Sequence, residues 1–259
     1  MKRISRFLPT ALRPRHEADE HYEAVHHRFA MRMFREHAPA VTRYATNHAA
    51  ARYDLASTFR LRPADAWRFI VLEFGDPAAE EGAGGGDGDD PDPRRGGKEW
   101  LPAWAENAIV ADHTNFLREV RPFEVAPSVA VDRRTGQTSL AKYLIEVEDT
   151  GSGAGAEVLD SVRGALADAA ANAFGLRLHI ANDVVREAEM AAVDEPGQAY
   201  TGRYRERTGM HAIDEMYFDH TVWAEEFFAS PAVRPALLAR SGVRVAVYAV
   251  AELVGVDRT

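Results

Sequence analysis

The 259-residue sequence contains no cysteine. Disulfides, thiolate nucleophiles and Cys-ligated metal sites are excluded together. Long apolar runs are missing too: no stretch approaches the ~20 residues of a membrane-spanning helix. The opening Met1-Lys2-Arg3, followed by Ile4-Ser5-Arg6-Phe7, is too short and broken for a secretory signal, so a cytoplasmic protein is expected. Basic charge is also scarce. Lys and Arg number 31 against 40 Asp and Glu, for a net charge of −9. The cations do not gather into a stripe, so neither a nucleic-acid nor a membrane partner is expected. Several catalytic signatures are absent: there is no H-E-x-x-H, and no G-x-S-x-G elbow for a nucleophilic serine. The Gly-rich run at Gly84 to Gly88 lacks the Lys-Ser/Thr of a phosphate loop, and its neighbouring acids would repel phosphate. An apolar share of 46% leaves an ordinary hydrophobic core available. The Ala- and Arg-rich composition suggests a high-GC bacterial source.

The most informative feature present is an internal echo. Tyr44-x-x-Asn47-His48 recurs as His179-x-x-Asn182-Asp183, each at the end of a helix-then-strand run. The first half, 1–136, predicts a strand over 3–8 and an amphipathic helix over 16–38. Tyr22, Val25, Phe29, Met33 and Phe34 recur there at three and four, and Pro39 ends the helix. Strands over 41–48 and 67–74, a helix over 98–120 and a strand over 122–131 follow. The second half, 137–259, predicts strands over 140–147, 176–183, 210–218 and 243–253. Its Ala-rich helix over 156–174 is stopped by Gly175, and a second helix, capped by Asp219 or Thr221, runs to Ala229. Residues 77–97 are acidic and Gly-rich, with little to bury, and predict a mobile insertion.

Both halves therefore read β-α-β-β-α-β, the ferredoxin-like unit. Two such units of roughly 125 residues suit a chain of this length. The expected fold class is α+β: tandem ferredoxin-like units whose sheets join into an intramolecular dimeric α+β barrel around a shared, largely apolar cavity. A monomeric pseudo-dimer is expected, with a homodimer as the alternative.

His26, Tyr44 and His48 carry a resemblance to the EthD-like family of the dimeric α+β barrel superfamily. That family has a helix His followed by a Tyr and a His on the next strand. The segments from Ile213 to Pro231 and from Val243 to Glu252 are similar to its closing part. The second copy departs from the pattern, with Val162 at a helix position that could have held the His and Asp183 in place of the strand His. The resemblance implies relatives among polyketide cyclases, dehydratases and cofactor-free monooxygenases. The asymmetry of the two copies implies either that one kept the chemistry while the other became a wall, or that the two now contribute different groups.

Strand alternation sorts the candidates. Tyr44, Thr46 and His48 share one face, taken as the cavity side together with His179. Glu73 points inward if Leu72 and Phe74 pack under helices, and Ile213, Glu215 and Tyr217 point inward in the second copy. The expected catalytic set is His48 as general base, Tyr44 as proton donor or oxyanion partner, and His26 as orienting group, with His179 and Glu215 from the second copy. Glu73, Tyr217, Trp67, Phe69 and Asp183 are expected to contact substrate. A neutral His can take and return a proton near pH 7, and a Tyr hydroxyl can donate to a developing enolate. These groups suit a cofactor-independent lyase or cyclase acting on a hydrophobic, polyketide-like substrate. A cofactor-free monooxygenase and a non-catalytic binding protein are the rivals. Two His and a carboxylate from different strands could bind iron or zinc, the lesser expectation. His27 is expected to face water, His16 and His21 to be solvated, and the Asp-His-Thr runs at His113 and His220 to match by chance.

Overall fold

A computed structural model describes residues 1–55, 61–64, 68–75, 101–136, 139–151, 156–187, 208–238 and 242–258. The first half begins with β1 (Lys2–Pro9). A helical rod follows, made of α1 (Arg15–His21), a π turn (Tyr22–His26) and α2 (His27–His37). Then come β2 (Val41–Tyr53), β3 (Leu61–Pro63), β4 (Arg68–Phe74), α3 (Ala103–His113) and β5 (Leu117–Asp132). The second half contains β6 (Ala141–Asp149), α4 (Ala156–Ala170), β7 (Leu176–Glu187) and β8 (Met210–Phe218). It ends with α5 (Thr221–Ala229), α6 (Arg234–Leu237) and β9 (Val243–Asp257). Residues 77–97, expected to be a mobile insertion, lie outside the described residues.

Two local expectations are corrected. The helix predicted over 98–120 is Ala103–His113. Leu117 to Val120 instead extend β5 against β1, where both residues bury under the helices. Helix α5 is capped by His220, whose ring accepts from the Val222 N–H at 3.2 Å. Asp219 is occupied by Arg177, whose Nε donates at 2.7 Å. Gly175 ends the α4 region with φ +71°, as its position predicts.

The strand order β2-β4-β1-β5-β7-β8-β6-β9 is antiparallel throughout, and β9 pairs back onto β2. Eight strands thus close into a barrel, with β3 added beside β2. The register shows that the sequence echo is structural. Lys2 lies opposite Glu73 and Lys142 opposite Tyr217, while Tyr44 lies opposite Leu72 and His179 opposite Met216. Tyr44 and His179 therefore occupy matching places. So do Asn47 and Asn182, both fully buried, whose amides donate to the carbonyls of Phe69 and Ile213 at 3.1 and 2.8 Å.

Apolar packing falls into three bodies. One lies between the first half's strands and its helices, and includes Tyr22, Phe34, Tyr44, Leu72, Ile109 and Phe116. The second is its counterpart under α4 and α5, built from Tyr143, Val162, Leu166, Phe218 and Phe228 among others. The third is the barrel lumen, with Ile4, Ala45, Phe69, Val71, Leu144, Ile213 and Tyr248.

Candidate active site

The lumen is not the apolar cavity expected from the sequence. β1 and β6 start at the same end, and there Lys2 pairs with Glu215, and with Glu73 at 3.7 Å. Lys142 sits 2.7 Å from both Glu215 and Glu252, and Arg43 is 3.1 Å from Glu252. Tyr217 donates to Glu215 at 3.2 Å. Four residues further along, Arg6 and Tyr248 both bond Glu146, at 3.2 Å each. Glu73, Glu215 and Tyr217 do point inward as their alternation predicts. Phe69 is inward too, packed against Tyr248 with ring centres 5.1 Å apart. Glu215 is nevertheless tied up. Burial alone would raise its pKa, but Lys142 and Lys2 hold it well below the usual carboxylate range. Positive and negative groups balance, so the network locks the halves together rather than attracting a charged ligand.

Tyr44, His48 and His179 face the helices, not the lumen. An eight-stranded barrel has an interior only wide enough to be filled by side chains. On β2 the small Ala45 and Ala49 take the lumen side, which makes room for Phe69 and Tyr248 and sends Tyr44 outward under the helices. On β7, a register irregularity between Leu176 and Leu178 lets Leu176 and His179 share the helix-facing side with Phe218 and Met216. Asp183 is also corrected: it is exposed on β7 and paired with Arg163 of α4. Trp67 lies outside the described residues.

The layer between the first half's strands and its helices contains a second, more reactive cluster. The π turn is its cause. One extra residue per turn rotates His26 and His27 so that both are buried, 3% and 4% exposed, where an α-helix would have turned one to water. His26 Nδ1 lies 2.8 Å from Asp112 Oδ2, and His21 Nε2 lies 2.8 Å from Asp112 Oδ1. Asn115 donates to the same carboxylate at 2.9 Å. His113 packs its ring 4.9 Å from that of His26. Beside them runs an unbroken chain of polar groups: His27 Nδ1 to Tyr44 OH at 3.1 Å, Tyr44 OH to Tyr22 OH at 3.2 Å, and Tyr22 OH to Thr46 Oγ1 at 2.6 Å. Arg68 lies 4.2 Å over the Tyr22 ring and donates to Asp19 and Glu23, each at 3.1 Å. His48 sits at the rim, half-buried, with Nε2 3.9 Å from Asp19.

The electrostatics follow from burial. Burial lowers the His26 pKa despite its bond to Asp112, and lowers His113 well below the ordinary value. His27 falls to about 4, through burial and then the charges of His26 and Arg68. His48 is lowered by partial burial and by Arg68. Burial raises Tyr22 and Tyr44. Asp112 runs the other way: burial would raise it, but the bonds from His26 and His21 keep it ionised. An ionised Asp112 accepts the Nδ1–H of His26, which leaves the His26 Nε2 lone pair as a base. The layer thus holds a carboxylate-oriented neutral imidazole next to two protonated phenols.

Sequence reasoning brought His26 and Tyr44 into this cluster and missed Asp112, His113, His27, Tyr22 and Arg68. The adjacent Asp112-His113 pair at the end of α3 is the sequence signal that points to this cluster. His21, expected to be solvated, bonds Asp112. Among the described residues, no three His, Asp or Glu side chains converge as a metal-binding set.

No protein-family model and no curated sequence matches the chain. The fold does match solved structures. An anthrone oxidase-like protein superposes with a TM-score of 0.54 at 12% identity, over 100% of this chain and 94% of that one. A protein from Fusobacterium nucleatum subsp. nucleatum, provisionally assigned as a monooxygenase, superposes with a TM-score of 0.50 at 10% identity, over 96% and 91% of the two chains. At such identities the likeness shows the fold alone.

Proposed function

We propose that the chain is two fused ferredoxin-like units, 1–136 and 137–259, of the EthD-like family of the dimeric α+β barrel superfamily, and that its first half is a cofactor-independent acid–base enzyme. His26, oriented by Asp112, removes a proton next to a carbonyl or from a phenol of a hydrophobic, polyketide-like substrate. The phenols of Tyr22 and Tyr44 then donate to the oxygen on which charge develops, and His27 and Thr46 complete the relay at either end. His48 and Arg68 border the site on the Asp19 side. Aldol ring closure or loss of water follows from the enolate, which makes the protein a cyclase or lyase. The reading is carried by one observation: an ionised Asp112 holds a buried, neutral His26 beside a continuous hydroxyl chain. The matching layer of the second half has Val162 fully buried and a looser pair, His179 3.4 Å from Asp214, whose carboxylate also receives Arg163 of α4 at 3.4 Å.

The test is proton exchange. In deuterated buffer, a panel of aromatic β-diketones and anthrones should gain deuterium at the acidic carbon in the presence of the protein. His26→Ala and Asp112→Asn should slow that gain at least about 100-fold. Exchange that is absent across the panel, or unchanged in both variants, would overturn the reading. The monooxygenase rival begins with the same deprotonation, so oxygen uptake by the wild-type protein separates the two. Ligand affinity without any exchange would favour a binding role.

A further inference from the structure

We infer that a surface groove between α4 and α5, remote from the acid–base cluster, binds a small organic cation. The groove encloses about 660 Å³ and is lined by Asp168, Ala169 and Phe174 on one side and by Trp223, Glu226 and Phe227 on the other. That volume suits a small molecule. Its wall is built rather than incidental. Trp223 lies so close over Gly175 that a Cβ there would sit 2.5 Å from the indole. Phe174, 73% exposed, meets the Trp223 ring edge-on at 4.6 Å. Phe174 is exposed and Trp223 half-buried, and both line the groove, where aromatic rings attract cations.

The two charged residues lining the groove, Asp168 and Glu226, are both acidic. Asp168 and Glu226 form no ion pair or hydrogen bond with other described residues. The groove also lies along the C-terminal halves of both helices, where the peptide dipoles are negative. Neither helix has a basic residue in its last turn, and only the α4 end is offset from elsewhere, by Arg133. The nearby Arg133 is committed to the carbonyls of Ala171 and Ala173, and Arg177 to Asp219. Aromatic side chains, two carboxylates without a partner among the described residues and the C-terminal end of α5 together favour an ammonium group on a short hydrocarbon frame.

Choline and its uncharged isostere 3,3-dimethylbutan-1-ol test this directly, because they share a shape and differ in charge. The readout is the indole N–H resonance that disappears in Trp223→Phe. Choline should shift that resonance saturably, and the alcohol should not. The double variant Asp168→Asn, Glu226→Gln, both at exposed positions, should weaken choline binding at least about fivefold while the protein stays folded. Equal shifts with the alcohol, no saturable shift with choline, or unchanged affinity in the double variant would each overturn the inference.

Discussion

Asp112 and His26 come from helices 86 positions apart in sequence, and their side chains meet at 2.8 Å in the layer beneath α1–α2 and α3. The carboxylate also receives His21 and Asn115, so it ties the helical rod to the end of α3. Asp112→Asn keeps the shape and removes the charge. It should cost about 2 kcal/mol, the range for hydrogen bonds to a charged group, read as a lower urea midpoint with an unchanged slope. An unshifted midpoint would show that the pair contributes nothing to the packing of these helices.

Stability should fall as pH drops below about 6.5. His26, His27, His48 and His113 all have folded-state pKa values below the ordinary imidazole value. Between their folded and unfolded values the unfolded chain binds more protons, so unfolding is favoured as pH falls through that window. For His27 the window runs from about 6.5 down to about 4. Urea midpoints measured from pH 8 to pH 4 should decline through this range, and His27→Gln should flatten part of the slope. Asp112 and Glu215 act lower, because their folded values are depressed. Their contribution is complete above the ordinary carboxylate range and is lost as pH drops beneath it.

Glu215 is the hub of the lumen, between Lys2 and Lys142, and its side chain is 1% exposed. Removing its charge leaves buried ammonium groups undercompensated, so Glu215→Gln should destabilise by about 3–5 kcal/mol. Glu73, at the partly open rim and 3.7 Å from Lys2, should cost no more than about 1 kcal/mol when changed to Gln. Chemical denaturation of the two variants compares them, and equal losses would contradict the assignment of Glu215 as the hub.

Gly255 of β9 passes between α2 and Tyr44. A Cβ there would come within 2.8 Å of both Met31 Cγ and Tyr44 Cδ1. Gly255→Ala should therefore cost about 1–3 kcal/mol through overpacking and displace the Tyr44 ring. Under the proposed chemistry it should also slow deuterium exchange. Wild-type stability in this variant would mean that α2 has room to move.

Much of the architecture was legible because it rests on short-range patterns. The Asn47 and Asn182 echo marked equivalent strand positions, and both amides make the same bond to a neighbouring strand's carbonyl. The inward set Glu73, Glu215 and Tyr217 followed from alternation against clear apolar partners. β2 and β7 were harder, since both of their faces are buried and polarity alone does not say which one meets the lumen. The small size of Ala45 and Ala49 was the better guide. His27 was misplaced because the α-helical period assumed for it is broken by the π turn. Asp112 was missed because its partners come from the other helix.

Periodicity, proline and glycine positions and the repeated strand motif determined the succession of elements, since each acts within a turn or along one strand. Closure of the barrel decided the rest. A lumen filled by its own side chains admits the smaller residues of β2 and sends Tyr44 beneath the helices. Only in that layer do Tyr44, His26 and Asp112 meet, because contacts between distant segments exist only once the segments have packed.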